Sequence, residues 1–158
     1  MNRETRFVGH IPVMVNDIDE TRDFYERVLG LRNSGTAPVG EGAINVMSRM
    51  AICFMSCGTM HHDFACFQEH DRDWKVVRVT EDDFHHLSFT LQDDLDLDWF
   101  KQHLASLDVE FSEGAAMPDP TGTFGVGNSV HFRDPNGHFV EVHSVDVASA
   151  AKESADAS

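Results

Sequence analysis

Two adjacent pairs of histidines stand out in this chain, because imidazole is suited to proton transfer and to metal binding near neutral pH. The pairs are His61-His62 and His85-His86, and they belong to ten histidines in 158 residues. A further histidine, His10, lies 76 residues before His86, and both are followed by alternating apolar residues. This spacing predicts that His10 and His86 occupy equivalent positions at the start of two strands.

A carboxylate in an apolar strand adds a third candidate ligand. Glu141 lies among the apolar residues of 139–142, and a buried carboxylate is costly unless it is paired or binds a metal. Two imidazoles and one carboxylate can form a facial triad, whose open positions suit Fe(II) oxygen chemistry or a divalent Lewis acid. The residues alone also allow His10 and His86 to be ordinary hydrogen-bonded histidines, with Glu141 in a salt bridge.

An internal repeat with an offset of 76 residues predicts the elements that position these side chains. In each copy, apolar residues first alternate as in a strand and then recur with helical spacing. Aspartates precede each predicted helix, where the helix dipole favours them, and Gly30 suits the C-terminal cap of the first helix. The repeated apolar residues are Ile11, Val13, Val15, Phe24, Val28 and Leu31, matched by Leu87, Phe89, Leu91, Phe100, Leu104 and Leu107.

Three short strands are predicted after each helix, which gives each half the order βαβββ. The predicted strands cover about 43–48, 51–56, 61–67, 109–112, 129–132 and 139–145. An Asp-Pro-Asn-Gly sequence at 134–137 predicts a tight turn between the last two. Because neither half can bury a good core alone, we predict an α+β fold in which two βαβββ modules form a curved mixed sheet around a metal-containing cavity.

The predicted organisation is a single domain over residues 1–158. Module one covers about 7–68, a charged linker about 69–83, module two about 84–146 and a frayed tail about 147–158. The glycine- and proline-containing segment 114–127 is predicted to be a loop.

Composition narrows the classes of partner. Twelve Lys and Arg against 27 Asp and Glu give a net charge of −15, which repels phosphate backbones and argues against nucleic acid. No apolar run is long enough to cross a bilayer, and the N-terminal residues lack the apolar stretch of a secretory signal. The odd count of three cysteines favours free thiols in a reducing compartment. We therefore expect a cytoplasmic protein without a membrane partner.

From about residue 8 to 144 the chain resembles the vicinal oxygen chelate superfamily, also called glyoxalase/bleomycin resistance/dioxygenase. The most specific motif is the Asp-Pro-Asn-Gly turn with Glu141 four residues beyond its glycine. The resemblance implies that His10, His86 and Glu141 bind a metal. The segments that carry it are residues 9–15, 24–25, 28–31, 84–89 and 132–141.

Within that superfamily, the paired histidines resemble those of type I extradiol dioxygenases. This resemblance implies that His86, not His85, is a ligand and that His62 is a second-sphere acid–base residue. It implies Fe(II) as the cofactor and a catechol and O₂ as substrates, with ring cleavage next to the diol. Extradiol enzymes usually carry a tyrosine where this chain has His131; imidazole can also donate a hydrogen bond, so His131 either takes over that role or indicates another substrate or reaction.

Two other functions stay open. The first is another metal-dependent enzyme, glyoxalase-, epimerase- or thiol-transferase-like, using Mn, Ni, Zn or Co. A glyoxalase I site in one chain is disfavoured, because the first-half equivalent of Glu141 is Ala65. The second is a non-catalytic, bleomycin-resistance-like protein that binds a cationic ligand. The negative net charge favours binding of a cation, but a protein of this kind does not need three metal ligands. Folds of this kind commonly pair edge to edge, so a homodimer also stays open.

Overall fold

The computed structural model describes residues 9–38, 49–58, 61–73, 75–80, 86–91, 96–114 and 126–145. The chain divides into two compact units, Met1–Thr80 and Glu81–Ser158, which we call unit one and unit two. Each unit contains one helix and one four-stranded sheet. Neither helix of the described residues is long and apolar enough to cross a membrane.

Unit one begins with a strand and a helix and continues with three strands. Its sheet has the order β1-β4-β3-β2, with β1 parallel to β4 and the other pairs antiparallel. Its elements are β1 (Ile11–Met14), α1 (Ile18–Leu29), β2 (Arg32–Ala37), β3 (Met50–Ser56) and β4 (Phe64–Glu69).

Unit two repeats this topology. Its sheet has the order β5-β8-β7-β6, with β5 parallel to β8. The predicted α+β class and the two βαβββ modules are thereby confirmed, as two separate four-stranded mixed sheets. Its elements are β5 (Leu87–Thr90), α2 (Leu97–Ser106), β6 (Phe111–Gly114), β7 (Val126–Arg133) and β8 (Phe139–Val145).

The offset of 76 residues extends to strand register. Ile11 pairs with Phe64 in unit one, and Leu87 pairs with Val140 in unit two, so both partners shift by the same 76 positions. Antiparallel pairing in unit two slips by one residue relative to unit one, because the β7–β8 register is irregular between 126 and 129. The parallel pairs β1–β4 and β5–β8 are therefore equivalent residue for residue.

Side-chain caps fix where both helices begin. Asp17 accepts a hydrogen bond from the backbone of Glu20 at 2.9 Å, and Asp96 accepts one from the backbone of Trp99 at 2.6 Å in unit two. Gly30 ends α1 with a φ of 65°, in the left-handed region that glycine adopts without strain, as predicted.

Each helix packs on one face of its own sheet. Tyr25 of α1 contacts Phe64 of β4, with ring centroids 5.0 Å apart, and Phe100 of α2 contacts Phe132 of β7 at 6.2 Å. Tyr25 is fully buried and Phe100 is 2% exposed. Burial of an apolar side chain of this size stabilises the fold by about 1.5–3 kcal/mol. Ile11, expected on the helix-facing side, is instead 44% exposed at the start of β1.

Several predicted strand boundaries require correction. β2 was not predicted, because its sequence Arg-Asn-Ser-Gly-Thr-Ala lacks alternating apolar residues and it forms an edge with a register irregularity. The strand predicted at 61–67 begins only at Phe64, so His61 and His62 precede it. The strand predicted at 109–112 is observed at Phe111–Gly114. The predicted strand 43–48 and the tail 147–158 lie outside the described residues, as does most of the predicted loop.

All three cysteines lie in unit one and are free thiols. Cys53 of β3 is paired in register with Cys66 of β4, and both are fully buried, whereas Cys57 is exposed. Burial raises the pKa of Cys53 to about 11, which keeps it protonated at neutral pH.

Candidate functional site

Unit two carries polar side chains along one face of its sheet. Residues two apart on a strand share a face, and His86 precedes β5 in the same alternation. The opposite face is apolar and buried, with Leu87, Val130 and Val140 at 4% exposure or less. We call the first set the polar face; it consists of His86, Ser88, Thr90, Ser129, His131, Glu141 and His143.

Glu141 lies at the centre of the polar face and is contacted from both neighbouring strands. Ser88 of β5 donates a hydrogen bond to Oε2 at 3.0 Å, and Nε2 of His131 on β7 lies 3.4 Å from Oε1. Nε2 of His86 lies 3.7 Å from Oε2. The parallel register pairs Ser88 with Glu141, and the antiparallel register pairs Glu141 with His131, so strand pairing brings these groups together.

These contacts keep the Glu141 carboxylate ionised. Partial burial raises its pKa, but the hydrogen bonds from Ser88, His131 and Ser129 and the charge of His131 outweigh it and lower the pKa below its usual value. An ionised carboxylate next to an imidazole is a donor set that divalent metals accept.

The ring of His131 is held in place by its neighbours. It stacks on Phe139, with centroids 5.1 Å apart and planes 15° from parallel, and Ser129 Oγ lies 3.4 Å from its Nε2. Gly114 lies against the same ring, and a Cβ at this position would collide with His131 Cε1 and Ser129 Oγ. The space beside Gly114 is therefore required for this orientation of the imidazole.

The predicted tight turn between β7 and β8 is present and tightly bonded. Oδ1 of buried Asp134 accepts from the backbone amides of Asn136 and His138, both at 2.9 Å. Oδ2 lies 3.0 Å from Nδ1 of His138 and accepts from the Asn136 side chain at 3.1 Å. Since β7 carries His131 and β8 carries Glu141, this turn sets their register.

A second group of histidines lies in unit one, just before β1 and β4. The rings of His10 and His62 are 4.7 Å apart, and Nδ1 of His61 lies 2.7 Å from Nδ1 of His62. Phe54 of β3 packs against His62 at 4.7 Å. Desolvation lowers the pKa of His62, reinforced by His10 and His61 and opposed by Asp63, which favours a neutral ring at pH 7.

The unit-one surface equivalent to the polar face is apolar. Ala65 pairs with Phe54 and stands where Glu141 stands in the repeat. Ala65, Ile52 and Phe67 form a buried cluster, with Met14, Ala37, Met50 and Phe54 packed around it. The equivalent faces of the two sheets therefore differ in chemistry: the face in unit two carries polar side chains, and the face in unit one carries apolar ones.

The structure thus gathers the predicted site residues into two groups. His86, His131 and Glu141 lie together in unit two, and His10 and His62 lie together in unit one. Among the described side chains, no three or more of His, Cys, Asp and Glu are grouped closely enough to hold a metal ion. The ligand set of His10, His86 and Glu141 stays a prediction, and His85 lies outside the described residues.

The pair in unit two nevertheless fits a metal by its donor chemistry and spacing. Two donor atoms that each lie about 2.1 Å from one ion at a right angle are about 3 Å apart. The 3.7 Å between His86 Nε2 and Glu141 Oε2 is within a small side-chain rotation of that distance.

The sequence patterns assigned no role to Ser88, Thr90, Ser129 or His143. Their spacing could have indicated them. Ser88, Ser129 and His143 each lie two positions from a predicted site residue, and Thr90 lies two positions beyond Ser88 on the same strand face. Ser and Thr are ordinary surface residues of strands, so their alternation with histidine and glutamate was the only distinguishing feature.

A sequence profile of one protein family matches residues 7–142, which is most of the chain: the Glyoxalase/Bleomycin resistance protein/Dioxygenase superfamily. The chain belongs to this superfamily. The expected family is thereby confirmed. No curated protein sequence matches the chain.

Several solved structures share the fold of this chain. An integron cassette protein from the mobile metagenome of V. cholerae is 24% identical, covering 91% of this chain and 98% of its own, with a TM-score of 0.58. A mutant of the fosfomycin resistance protein FosX from Listeria monocytogenes, complexed with Mn(II) and 1S,2S-dihydroxypropylphosphonic acid, is 16% identical over 89% and 93%, with a TM-score of 0.57. FosX from Mesorhizobium loti is 19% identical over 89% and 92%, with a TM-score of 0.55. At these identities the likeness is one of fold.

Proposed function

We propose that this protein is a non-haem Fe(II)-dependent dioxygenase that cleaves the ring of a catechol next to its diol. His10, His86 and Glu141 are the proposed ligands, and His62 is the proposed acid–base residue. His131 is assigned the hydrogen-bonding role beside Glu141. Mn, Ni, Zn or Co at the same ligands is the alternative, with the reaction changed accordingly.

The contact between His62 and His10 is the observation that carries this proposal. Their rings are 4.7 Å apart, so a substrate oxygen near a metal on His10 would lie within reach of the second imidazole. A positioned general acid or base must reach the proton it moves directly or through one water. A metal site that only binds a ligand has no need of this second histidine.

An aromatic substrate is supported by the apolar face of unit one. Phe54 lies directly beside His62, and other partly buried residues packed around the Ala65 cluster, such as Met14 and Met50, offer aliphatic and thioether surface. Such surface favours a flat apolar ring, whose transfer from water is favourable in proportion to the area buried.

The roles of the side chains follow from their chemistry. When bound, Fe(II) supplies redox and Lewis-acid chemistry toward a diol and O₂. His62 takes up a hydroxyl proton of the diol and returns a proton later, His131 holds Oε1 of Glu141, and Phe54 orients the ring. The overall reaction breaks one ring carbon–carbon bond beside the diol and places both atoms of O₂ in the product.

Phosphonate chemistry of the FosX kind is disfavoured by charge. Residues 81–158 contain 3 Lys and Arg against 16 Asp and Glu, whereas residues 1–80 contain 9 against 11. In unit two, Lys101 is paired with Glu113 at 3.0 Å, and Arg133 donates to the carbonyl of Gly137 at 2.6 Å. The unit that holds Glu141 is therefore strongly acidic and repels an anionic substrate.

The proposal is tested by anaerobic reconstitution with Fe(II), followed by a panel of catechols and then O₂. We expect O₂ uptake together with a yellow ring-cleavage product. Alanine at His10, His86 or Glu141 should abolish iron retention. His62→Ala should retain iron and slow turnover by roughly 10²- to 10⁴-fold.

His103→Ala is the matched control. It removes an imidazole from helix α2, which carries none of the proposed ligands, so iron retention and turnover rate should be unchanged. If His62→Ala turns over as fast as the wild type, the acid–base assignment is wrong. If metal binds stoichiometrically but no catechol is consumed, another metal-dependent reaction replaces ring cleavage.

A further inference from the structure

A chain of four polar side chains crosses the polar face of unit two and ends on Glu141. Thr90 Oγ1 lies 2.9 Å from His143 Nε2, and His143 Nδ1 lies 3.2 Å from Ser88 Oγ. Ser88 Oγ in turn lies 3.0 Å from Glu141 Oε2. Thr90 and Ser88 belong to β5, and His143 and Glu141 to β8, so the chain alternates between two strands paired in parallel.

The direction of the two hydrogen bonds nearest Glu141 follows from the carboxylate at the end of the chain. An ionised carboxylate only accepts, so the single Ser88 proton is committed to Glu141. Ser88 must then accept from His143, which places the imidazole proton on Nδ1. Thr90 Oγ1 completes the chain at 2.9 Å from His143 Nε2, so the two hydrogen bonds nearest the carboxylate both point toward it.

We propose that Ser88, His143 and Thr90 are positioning residues that orient Oε2 of Glu141 for metal binding, with Nδ1–H of His143 donating to Ser88 and Ser88 donating to Oε2. This inference rests on the proposed metal site. His131 contacts Oε1, so the two oxygens are assigned to different neighbours: Oε1 to β7, and Oε2 to Ser88 and the adjoining His86.

Such an arrangement matters because a glutamate side chain is flexible and must be ordered before it can act as a ligand. Hydrogen bonds from outside the ligand set commonly orient metal ligands, and their removal typically lowers metal affinity by about 10- to 100-fold. Ser88 is exposed, so truncation to alanine removes the hydroxyl without opening a cavity.

The tautomer is tested first, in the metal-free protein, by long-range ¹H–¹⁵N NMR of the histidine rings near neutral pH. A His143→Asn variant assigns the signal. We expect the Nδ1–H pattern in the wild type and in Ser88→Thr, and its loss or weakening in Ser88→Ala. A ring without a proton on Nδ1, or a pattern unchanged in Ser88→Ala, overturns the proposal.

Metal affinity is tested next, by electron paramagnetic resonance of free Mn(II) during titration. Ser88→Ala should bind Mn(II) about 10-fold or more weakly than the wild type, and Ser88→Thr within about threefold of it. Ser106→Ala, which removes an exposed hydroxyl from α2, should not differ from the wild type. Circular dichroism of each variant verifies the fold.

The outcomes separate this inference from the proposed function. If the wild type binds Mn(II) and Ser88→Ala binds it equally well, the positioning role is wrong and the metal site stands. If neither wild type nor variant binds Mn(II) or Fe(II), the proposed metal site fails, and the positioning role is overturned with it.

Discussion

The buried carboxylate of Asp134 offers a sharp test of how the β7–β8 turn is stabilised. It accepts two backbone and two side-chain hydrogen bonds, all between 2.9 and 3.1 Å, from Asn136 and His138. Asp134→Ala leaves these donors buried without their acceptor. Removal of one partner from a buried charged network costs about 3–5 kcal/mol. For a chain of this length, that corresponds to a fall in Tm of about 10 °C.

The assay is urea denaturation followed by circular dichroism, with Asp98→Ala as the control. Asp98 forms an exposed pair with Lys101, and its side chain is 84% exposed, so its loss should change the free energy of unfolding by less than about 0.5 kcal/mol. If Asp134→Ala loses no more stability than Asp98→Ala, the buried hydrogen bonds do not stabilise the turn and the reasoning is refuted.

The same carboxylate predicts a pH dependence. Burial raises the pKa of Asp134, but the hydrogen bonds from His138 and Asn136 outweigh burial and lower it. A lowered folded-state pKa contributes stability that is fully present above the unfolded value of about 3.9 and is lost as the pH falls through the folded value. The stability difference between wild type and Asp134→Ala should therefore be constant from about pH 5 to 7 and shrink below about pH 4.

Three further substitutions test other parts of the fold. Gly114→Ala should displace the His131 ring and cost about 1–3 kcal/mol, and a histidine NMR signal unchanged from wild type would contradict this. Phe100→Ala should cost about 3–5 kcal/mol in urea denaturation, since the ring is 2% exposed; a loss below 1 kcal/mol would mean that the core of unit two is assigned wrongly. Asp17→Ala should cost about 1 kcal/mol by removing the cap on Glu20, and unchanged thermal unfolding would argue against this cap.

Much of the fold could be predicted from the sequence because the two copies of the repeat allow each element assignment to be compared with its equivalent. The apolar residues of β1 and β5 alternate with the same offset that relates α1 to α2, so each assignment supported the other. The Asp-Pro-Asn-Gly turn added a local constraint that correctly predicted the start of β8 at Phe139. β2 was not predicted because an edge strand of small polar residues buries little apolar surface and lacks alternating apolar positions.

The candidate site was harder to predict than the fold. Histidine and glutamate are conspicuous in composition, so His86, His131 and Glu141 could be proposed from residue type together with family resemblance. The contributions of Ser88 and Gly114 depend on cross-strand register, which pairs Ser88 with Glu141 and Gly114 with Ser129, and the register between β7 and β8 contains a further one-residue shift. Single-sequence patterns do not specify such a shift.

Because all three cysteines lie in unit one, thiol labelling can follow the opening of that unit without any mutation. A thiol-reactive dye should label exposed Cys57 in the folded protein, whereas Cys53 and Cys66 become accessible only when neighbouring strands of unit one open. Residues 81–158 contain no cysteine, so labelling kinetics report on one repeat while the other stays silent. Compared with circular dichroism, which reports on both repeats, labelling of the native chain can thus reveal whether they unfold together or one before the other.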